Sequence, residues 1–340
     1  MKKFLLFLVA ATSVACSQDE TTDAVGKGLP IDFRAAVGTR AMEITNDKIS
    51  EIAVTAIGEA GVNYFDNVKF SKSGSYFTSE YPYYWPSDGS TLSFYAYAPT
   101  PLTGIEGGSV TIKSDNKTVD YTPDSDISLQ EDFITATATG NKTANEATSV
   151  TLAFGHRLSQ IEVKAKNSNT SNVYKVQGVR IAWPVSTATF DFDKCTWVLG
   201  VDKITYEVTY AGSEKTLGSE AVSIMGADDN AMLIPQKLTA WDPSSDKTNS
   251  SKGAYLSVLI NITGAFEYPP SGGYGWAAVP IDTNWEAGKK YIYTLDFSGG
   301  AGKVDPTLPG GGEDIMGSPI KFSVTVDAWQ PVEPSSDINM

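Results

Sequence analysis

The sequence is organised around an early run, Leu29-Pro30-Ile31-Asp32-Phe33-Arg34-Ala35-Ala36-Val37-Gly38-Thr39-Arg40-Ala41. Ile31, Phe33 and Ala35 are apolar and occupy every second position, which is the period of a strand with one buried face. The run ends at the bond between Arg40 and Ala41, which suits a protease that cuts after arginine. From these residues alone, an ordinary first strand followed by a loop is the simpler interpretation, and a strand that cleavage could release is the alternative.

Residues 1–15 have the composition of a signal peptide. Two lysines precede an apolar run, residues 4–11, which is too short to span a bilayer, and small residues follow it. The alanine directly before Cys16 is typical of a bacterial lipobox, at which the cysteine thiol takes up diacylglycerol and becomes the mature N-terminus. Ser13 is a less usual residue at the third position before the cysteine, so ordinary signal cleavage stays open. Residues 16–28 then form a lipidated polar tether.

The composition predicts a two-domain β protein that does not bind nucleic acid. A chain of 340 residues is about twice the usual domain size of roughly 150 residues. Hydrophobic residues make up 41% and charged residues 19% of the chain, with Thr, Ser, Tyr, Val and Gly prominent, which favours strands over helices. The net charge of −14 would repel a phosphate backbone.

Strand-length apolar runs separated by turn residues, with no long helical period, predict an all-β fold with a β-sandwich in each half. We place the domains at residues 29–148 and 149–340. Residues 104–148 predict mostly loop and short edge strands, and the glycine-rich residues 299–317 predict a flexible loop. The last strand, residues 320–329, has the cleanest alternation in the chain, and a polar tail follows it.

No arrangement of residues predicts catalysis, a metal or a cofactor. His156 is the only histidine, which excludes a metal site built from several histidines, and we expect it in a turn with its ring bonded to backbone. Nothing near Cys195 in the sequence would activate it as a nucleophile, so we expect a semi-buried thiol in a strand or hairpin. The acidic residues 124–132 lack the glycine and spacing of an EF-hand loop and predict a solvated loop. Carboxylate pairs for glycoside hydrolysis can be distant in sequence, but nothing singles one out.

Several separated stretches, taken in order, resemble the fimbrillin-like family, the subunits of type V pili of anaerobes that have an outer membrane. Each stretch is short, but together they cover most of the chain. They are the lipobox at Cys16, residues 31–41, Tyr83-Tyr84-Trp85-Pro86 with residues 94–99, residues 152–158, Met232-Leu233-Ile234-Pro235-Gln236, Trp285-Glu286-Ala287-Gly288-Lys289-Lys290-Tyr291 and residues 322–329.

The resemblance implies two transthyretin-like β-sandwich domains in tandem, and export as a lipoprotein to the cell surface, held in the outer membrane through Cys16. It implies that an arginine-specific protease cuts between Arg40 and Ala41, so that the strand carrying Ile31, Phe33 and Ala35 leaves. A strand from the C-terminal region of a neighbouring subunit then fills the groove by β-augmentation. The implied partners are other pilus subunits, the protease, the outer membrane, and host or bacterial surface ligands.

The C-terminal tail departs from this scheme. Residues 330–340 contain two prolines and few alternating apolar residues, which makes them a poor donor strand. The alternative is therefore a non-polymerising surface lipoprotein that binds glycan or protein ligands through exposed aromatic residues.

Overall fold

The computed structural model describes residues 28–37, 49–102, 109–226 and 230–328. Its strands in chain order are β1 (Phe33–Val37), β2 (Glu51–Gly58), β3 (Asn63–Ser73), β4 (Tyr76–Ser79), β5 (Leu92–Ala98), β6 (Ser109–Ile112), β7 (Lys117–Tyr121), β8 (Ile134–Gly140), β9 (Val150–His156), β10 (Ser159–Lys166), β11 (Asn172–Val185), β12 (Ala188–Asp191), β13 (Thr196–Leu199), β14 (Lys203–Thr209), β15 (Lys215–Thr216), β16 (Val222–Ser223), β17 (Ala231–Leu233), β18 (Tyr255–Gly264), β19 (Gly275–Pro280), β20 (Lys289–Asp296), β21 (Gly300–Val304), β22 (Asp314–Gly317) and β23 (Lys321–Ala328).

The predicted all-β class is confirmed, because helix is confined to two short segments of the described residues. These are a 3-10 turn at Ile127–Leu129 and the helix α1 (Lys142–Asn145). Across the same residues, no helix has the length and apolar character needed to cross a membrane.

Seven strands close into a barrel around a first hydrophobic core, in the order β1-β4-β3-β2-β5-β8-β9. Neighbouring strands are antiparallel, except that β1 runs parallel to β9 over five pairs, from Phe33↔Val150 to Val37↔Phe154. On its other side β1 meets β4 at one pair, Phe33↔Phe77. Because β1 lies between β4 and β9, the first strand of the structure is the one that closes the barrel.

Strand β8 corrects the expectation of loop and edge strands over residues 104–148. All seven of its residues pair with β5, from Leu92↔Gly140 to Ala98↔Ile134, so it is a central barrel strand. Its side chains in the barrel core include Ala136 and Ala138, and threonines alternate with them. Alternating alanine and threonine give little hydrophobic contrast, and the strand is therefore hard to recognise from its pattern.

The second half folds as a sandwich of two sheets. One sheet has the order β16-β10-β20-β23 with β17 beside β10, and the other has the order β14-β11-β18-β19-β21-β22 with β15 beside β11. Val163 and Tyr293 of the first sheet share one buried cluster with Val176 and Val258 of the second, as expected for two sheets packed face to face. In the described chain β23 pairs with β20 alone, so it forms one edge of its sheet.

A third sheet joins strands from both sides of residue 148. Its order is β13-β12-β7-β6, so a hairpin from the second half pairs with a hairpin from the first. Phe133 packs between Tyr121 and Phe190, with ring centroids 5.2 and 5.9 Å away. Strand β9, which the predicted division assigns to the second domain, pairs with β1 and β8 in the barrel. The two halves are therefore linked by a shared sheet as well as by the chain.

The glycine-rich residues 299–317 form the hairpin of β21 and β22, which corrects the expected flexible loop. The reason is Asp305, whose side chain has no solvent exposure. Its carboxylate accepts hydrogen bonds from the Tyr255 hydroxyl at 3.2 Å and the Thr307 backbone at 2.9 Å, and lies 3.5 Å from the Arg180 guanidinium. Because a buried carboxylate is stable only when such donors surround it, Asp305 fixes the hairpin to β11 and β18.

We expect Asp305→Ala to lower the free energy of unfolding by about 3 kcal/mol, since it leaves buried donors without their acceptor. Asp314→Ala is the matched control in the same hairpin: Asp314 pairs with Lys303 at 2.8 Å, but its side chain is 65% exposed, so the loss should stay below about 1 kcal/mol. Urea unfolding followed by circular dichroism measures both. Equal losses in the two variants would contradict the anchoring role of Asp305.

Candidate functional site

The predicted site residues fall into two groups in the structure. Cys16, Arg40 and Ala41 lie outside the described residues, so lipidation and cleavage stay predictions. Ile31, Phe33 and Ala35 lie in and just before β1, at 2%, 0% and 8% exposure. Arg34, between the last two, is exposed. The alternation predicted for this strand is thus confirmed, and its apolar face points into the barrel.

Phe33 sits in a socket of aromatic rings contributed by other barrel strands. Its ring meets Phe70 of β3 and Phe94 of β5 edge to face, at centroid distances of 4.9 and 5.1 Å. Phe65 and Trp85 extend the cluster, at 5.8 Å from Phe70 and 6.0 Å from Phe94 respectively. Edge-to-face pairs contribute roughly 0.5–1.5 kcal/mol beyond the burial of the rings. β1 therefore supplies the central ring of the barrel core.

The backbone of β1 and of the residues before it is bonded on both sides. The Val150 N–H donates to the Asp32 carbonyl at 3.2 Å on the β9 side. On the other side the Ile31 N–H donates to the Tyr83 carbonyl at 2.7 Å. The Arg34 guanidinium hydrogen-bonds the Tyr76 hydroxyl and lies 4.6 Å from the centre of that ring. If β1 left, β9 and the segment around Tyr83 would both lose backbone partners.

The last strand, β23, differs from β1 in that its apolar side chains are poorly buried. All eight of its residues pair with β20, from Lys289↔Ala328 to Asp296↔Lys321. Its apolar side chains are poorly buried, since Phe322 is 37% and Val326 52% exposed, and Val324 packs only partly against the core. Phe322 touches Tyr293 at a centroid distance of 6.3 Å. β23 is thus held mainly by its backbone, whereas β1 is held by its backbone and by its side chains.

A model of the fimbrillin-like family matches residues 35–329. The chain belongs to the fimbrillin-like family. The match begins within β1 and ends one residue after β23, so the fimbrillin-like region includes the barrel, the sandwich and the sheet that links them.

Named relatives of this fimbrillin-like chain are fimbrial and adhesion proteins. The fimbrium subunit Fim1C of Phocaeicola vulgatus is 25% identical over 316 residues, which cover 77% of this chain and 81% of the relative. The solved structure of a fimbrial protein from Bacteroides vulgatus has a TM-score of 0.61 at 15% identity, covering 88% of this chain and 99% of that chain. A candidate cell adhesion protein from Parabacteroides distasonis has a TM-score of 0.53 at 12% identity, covering 91% and 99%. At these identities the two structures show a shared fold.

The stretch Trp285–Tyr291 is one of those that resemble the fimbrillin-like family. It forms hydrogen bonds with tyrosine side chains of β20, the strand that pairs with β23. Trp285 is buried, and its indole N–H donates to the Tyr293 hydroxyl at 2.9 Å. The Glu286 backbone N–H donates to the Tyr291 hydroxyl at 2.8 Å. Burial raises the pKa of Tyr293 to about 12, because the charged phenolate is disfavoured in the core. Hydrogen bonds from Trp285 and Glu286 thus fix two tyrosine side chains of β20, the strand that pairs with β23.

His156 and Cys195 lie only partly where the sequence predicts. His156 is the last residue of β9, and its Nδ1 lies 2.5 Å from a carboxylate oxygen of Asp132, a side-chain partner that the sequence did not predict. Cys195 is exposed, in the turn between β12 and β13, and is not semi-buried. Its φ of 55° is the left-handed conformation of a tight turn. The expected hairpin is therefore correct for Cys195, but the expected burial is not.

The acidic residues 124–132 form local turns. The Asp124 carboxylate accepts from the Asp126 backbone N–H at 2.8 Å, and the Asp126 carboxylate accepts from the Ser128 backbone N–H at 2.9 Å. The hydrogen bond from the Ser128 hydroxyl lowers the pKa of Asp126, the N-cap of the 3-10 turn. In the part of the chain that the structure describes, no group of three or more histidine, cysteine, aspartate or glutamate side chains is arranged to hold a metal ion.

Arg157 is a residue whose role the sequence did not indicate. It follows β9, and its guanidinium donates to the Thr135 hydroxyl at 2.6 Å and the Thr135 carbonyl at 3.1 Å. Its own carbonyl accepts from the Trp197 indole N–H at 2.7 Å. Arg157 thus joins barrel strand β8 to strand β13 of the linking sheet. These contacts join residues 22 and 40 positions away, so no local pattern predicts them.

We expect Phe33→Ala to lower the free energy of unfolding by roughly 3–5 kcal/mol, because it empties the centre of the aromatic socket. Phe322→Ala is the matched control, the same change on the exposed edge strand β23, and should cost about 1 kcal/mol or less. Urea unfolding followed by circular dichroism compares the two. Similar losses would mean that β1 is not the better packed of the two terminal strands.

Proposed function

We propose that this chain is a structural component of a cell-surface pilus and supports adhesion. Membership of the fimbrillin-like family and the fimbrial relatives support a pilus subunit. In this proposal the chain is exported as a lipoprotein, held in the outer membrane through Cys16, and assembled with other pilus subunits by strand exchange. An arginine-specific protease triggers the exchange by cutting between Arg40 and Ala41.

The observation that carries the proposal is that β1 closes the barrel between β4 and β9. We call this strand the plug. Its departure would open a slot lined by Phe70 and Phe94 and would leave the β9 backbone without a partner. An apolar slot beside an unpaired strand edge is the kind of site that β-augmentation fills. The fully buried Phe33 would therefore hold β1 in the barrel until cleavage of the bond between Arg40 and Ala41 frees the end of the strand.

We infer that β23 of a neighbouring subunit supplies the replacement strand. Bonds to β9 would replace part of the backbone bonding that β23 loses on β20, where it forms eight residue pairs against the five of β1 on β9, so backbone bonding alone does not favour the exchange. Phe322 and Val326, which are 37% and 52% exposed on β20, would become buried, and this burial contributes about 25 cal/mol per Å2 of apolar area. Residues 330–340, with two prolines, are the weaker candidate.

We also propose how the family's two transthyretin-like domains map onto the chain. The first corresponds to the barrel and includes β9, so the division falls near Arg157 and not after residue 148. The second corresponds to the sandwich that begins with β10. This division keeps the plug β1, its partner β9 and the aromatic socket within one domain.

We expect a trypsin-like arginine-specific protease to cut the folded chain between Arg40 and Ala41 and to release a product that begins at Ala41. Mass spectrometry of the product identifies the new N-terminus. Arg40→Ala should prevent both the cut and the later formation of polymers, which size-exclusion chromatography and electron microscopy detect.

Arg34→Ala is the control for this experiment. Arg34 lies within β1 and pairs with Thr151, so its peptide bonds are protected in the folded chain and its loss should not change the product. A product that begins at Ala35, or polymers that form equally well from Arg40→Ala, would contradict the proposed trigger.

A further inference from the structure

A groove on the barrel lies between β3, β4 and the segment that follows β4. We call it the tyrosine groove; its lining includes Lys69, Ser71, Thr78, Glu80, Tyr81 and Tyr83, and its volume is about 470 Å3. This volume is within the range of roughly 300–1,000 Å3 that is usual for ligand sites. The pilus proposal assigns no role to it.

Two aromatic rings line this groove, Tyr81 on a hydrogen-bonded backbone and Tyr83 packed on the barrel core. Tyr81 is 73% exposed, more than any other aromatic side chain that the structure describes. Its carbonyl accepts from the Ser79 hydroxyl at 2.8 Å, which fixes the segment that carries it. Tyr83 packs its ring on Phe65 at a centroid distance of 4.8 Å. An exposed aromatic ring on a fixed backbone is a ready stacking surface, because little conformational entropy is lost when a ligand covers it.

The polar groups around these rings disfavour an anionic ligand. Lys69 is paired with Glu51 at 2.9 Å, and Ser71 also donates to that carboxylate at 3.3 Å. The exposed Glu80 carboxylate and Thr78 hydroxyl lie on the rim, where they accept and donate hydrogen bonds. With the basic residue neutralised and a chain net charge of −14, an anionic ligand would be repelled.

We propose that the tyrosine groove binds a neutral oligosaccharide. A sugar ring has a face of C–H groups that stacks on tyrosine, and hydroxyl groups on its edge that donate to a carboxylate such as Glu80. In this complex the sugar ring stacks on Tyr81, and Tyr83, which packs on Phe65, forms one wall of the groove. Glu80 and Thr78 form hydrogen bonds with the sugar hydroxyl groups. Binding does not require the strand exchange of the pilus proposal, because an uncut chain already contains the groove.

The test is a titration of the full chain with a panel of neutral oligosaccharides, including cellohexaose, xylohexaose, mannohexaose, maltohexaose and lacto-N-tetraose. Sialyllactose and oligogalacturonate are the anionic comparators. Isothermal titration calorimetry should detect at least one neutral sugar with a Kd near or below about 1 mM. Arg40→Ala should bind that sugar as the unmodified chain does, so a failure of the pilus mechanism would not affect the result.

Three variants identify the site. Tyr81→Ala should weaken binding about tenfold, which corresponds to about 1.4 kcal/mol, whereas Tyr81→Phe should keep most of it because the ring remains. Val62→Ala removes another exposed apolar side chain, 68% exposed and outside the groove lining, and should leave binding unchanged. Unfolding midpoints in urea check that all three variants fold. The proposal is overturned if no neutral sugar binds, if only anionic sugars bind, or if Tyr81→Ala binds as well as the unmodified chain.

Discussion

The insertion of Phe33 between Phe70 and Phe94 is the contact on which the barrel depends. It brings a strand from the start of the chain into the centre of a core built by later strands, and the same strand forms the parallel pairing with β9. With one residue pair to β4 and five to β9, β1 is the only link that closes the ring of described strands. The integrity of this domain therefore rests on a short segment that precedes a predicted cleavage bond.

The first and last described strands, β1 and β23, are held in the fold in different ways. β1 contributes buried apolar side chains and a short ladder, whereas β23 contributes a ladder of eight pairs and side chains that remain partly exposed. Transfer of β23 into the place of β1 would replace part of the backbone bonding that β23 has on β20 and would increase the burial of its apolar side chains. This difference in packing, and not any single strong contact, is what we expect to drive assembly.

The sequence predicted the features that depend on local pattern. The alternation of Ile31, Phe33 and Ala35 correctly identified a strand with one buried face, and turn spacing identified the all-β class. Long-range pairing had no local signal: the parallel match of β1 with β9, and the placement of β9 in the barrel, join residues more than a hundred positions apart. Strand β8 was missed because its alternating alanine and threonine give weak hydrophobic contrast. The glycine-rich hairpin was missed because it is held by Asp305 and by the pairing of β21 with β19, which are contacts to residues distant in sequence.

The central claim, that β1 must leave the barrel before polymers form, is tested most directly by a reversible disulfide that ties β1 to β9, which we call the lock. Arg34 and Thr151 pair directly across β1 and β9 and are both exposed, so Arg34→Cys with Thr151→Cys can form a disulfide without disturbing the core. In a Cys16→Ser, Cys195→Ser background these are the only thiols. After protease treatment, polymer content is measured by electron microscopy before and after reduction. The account predicts cut but unpolymerised protein while the lock is oxidised, and polymers once it is reduced. Polymers formed with the lock intact would contradict it.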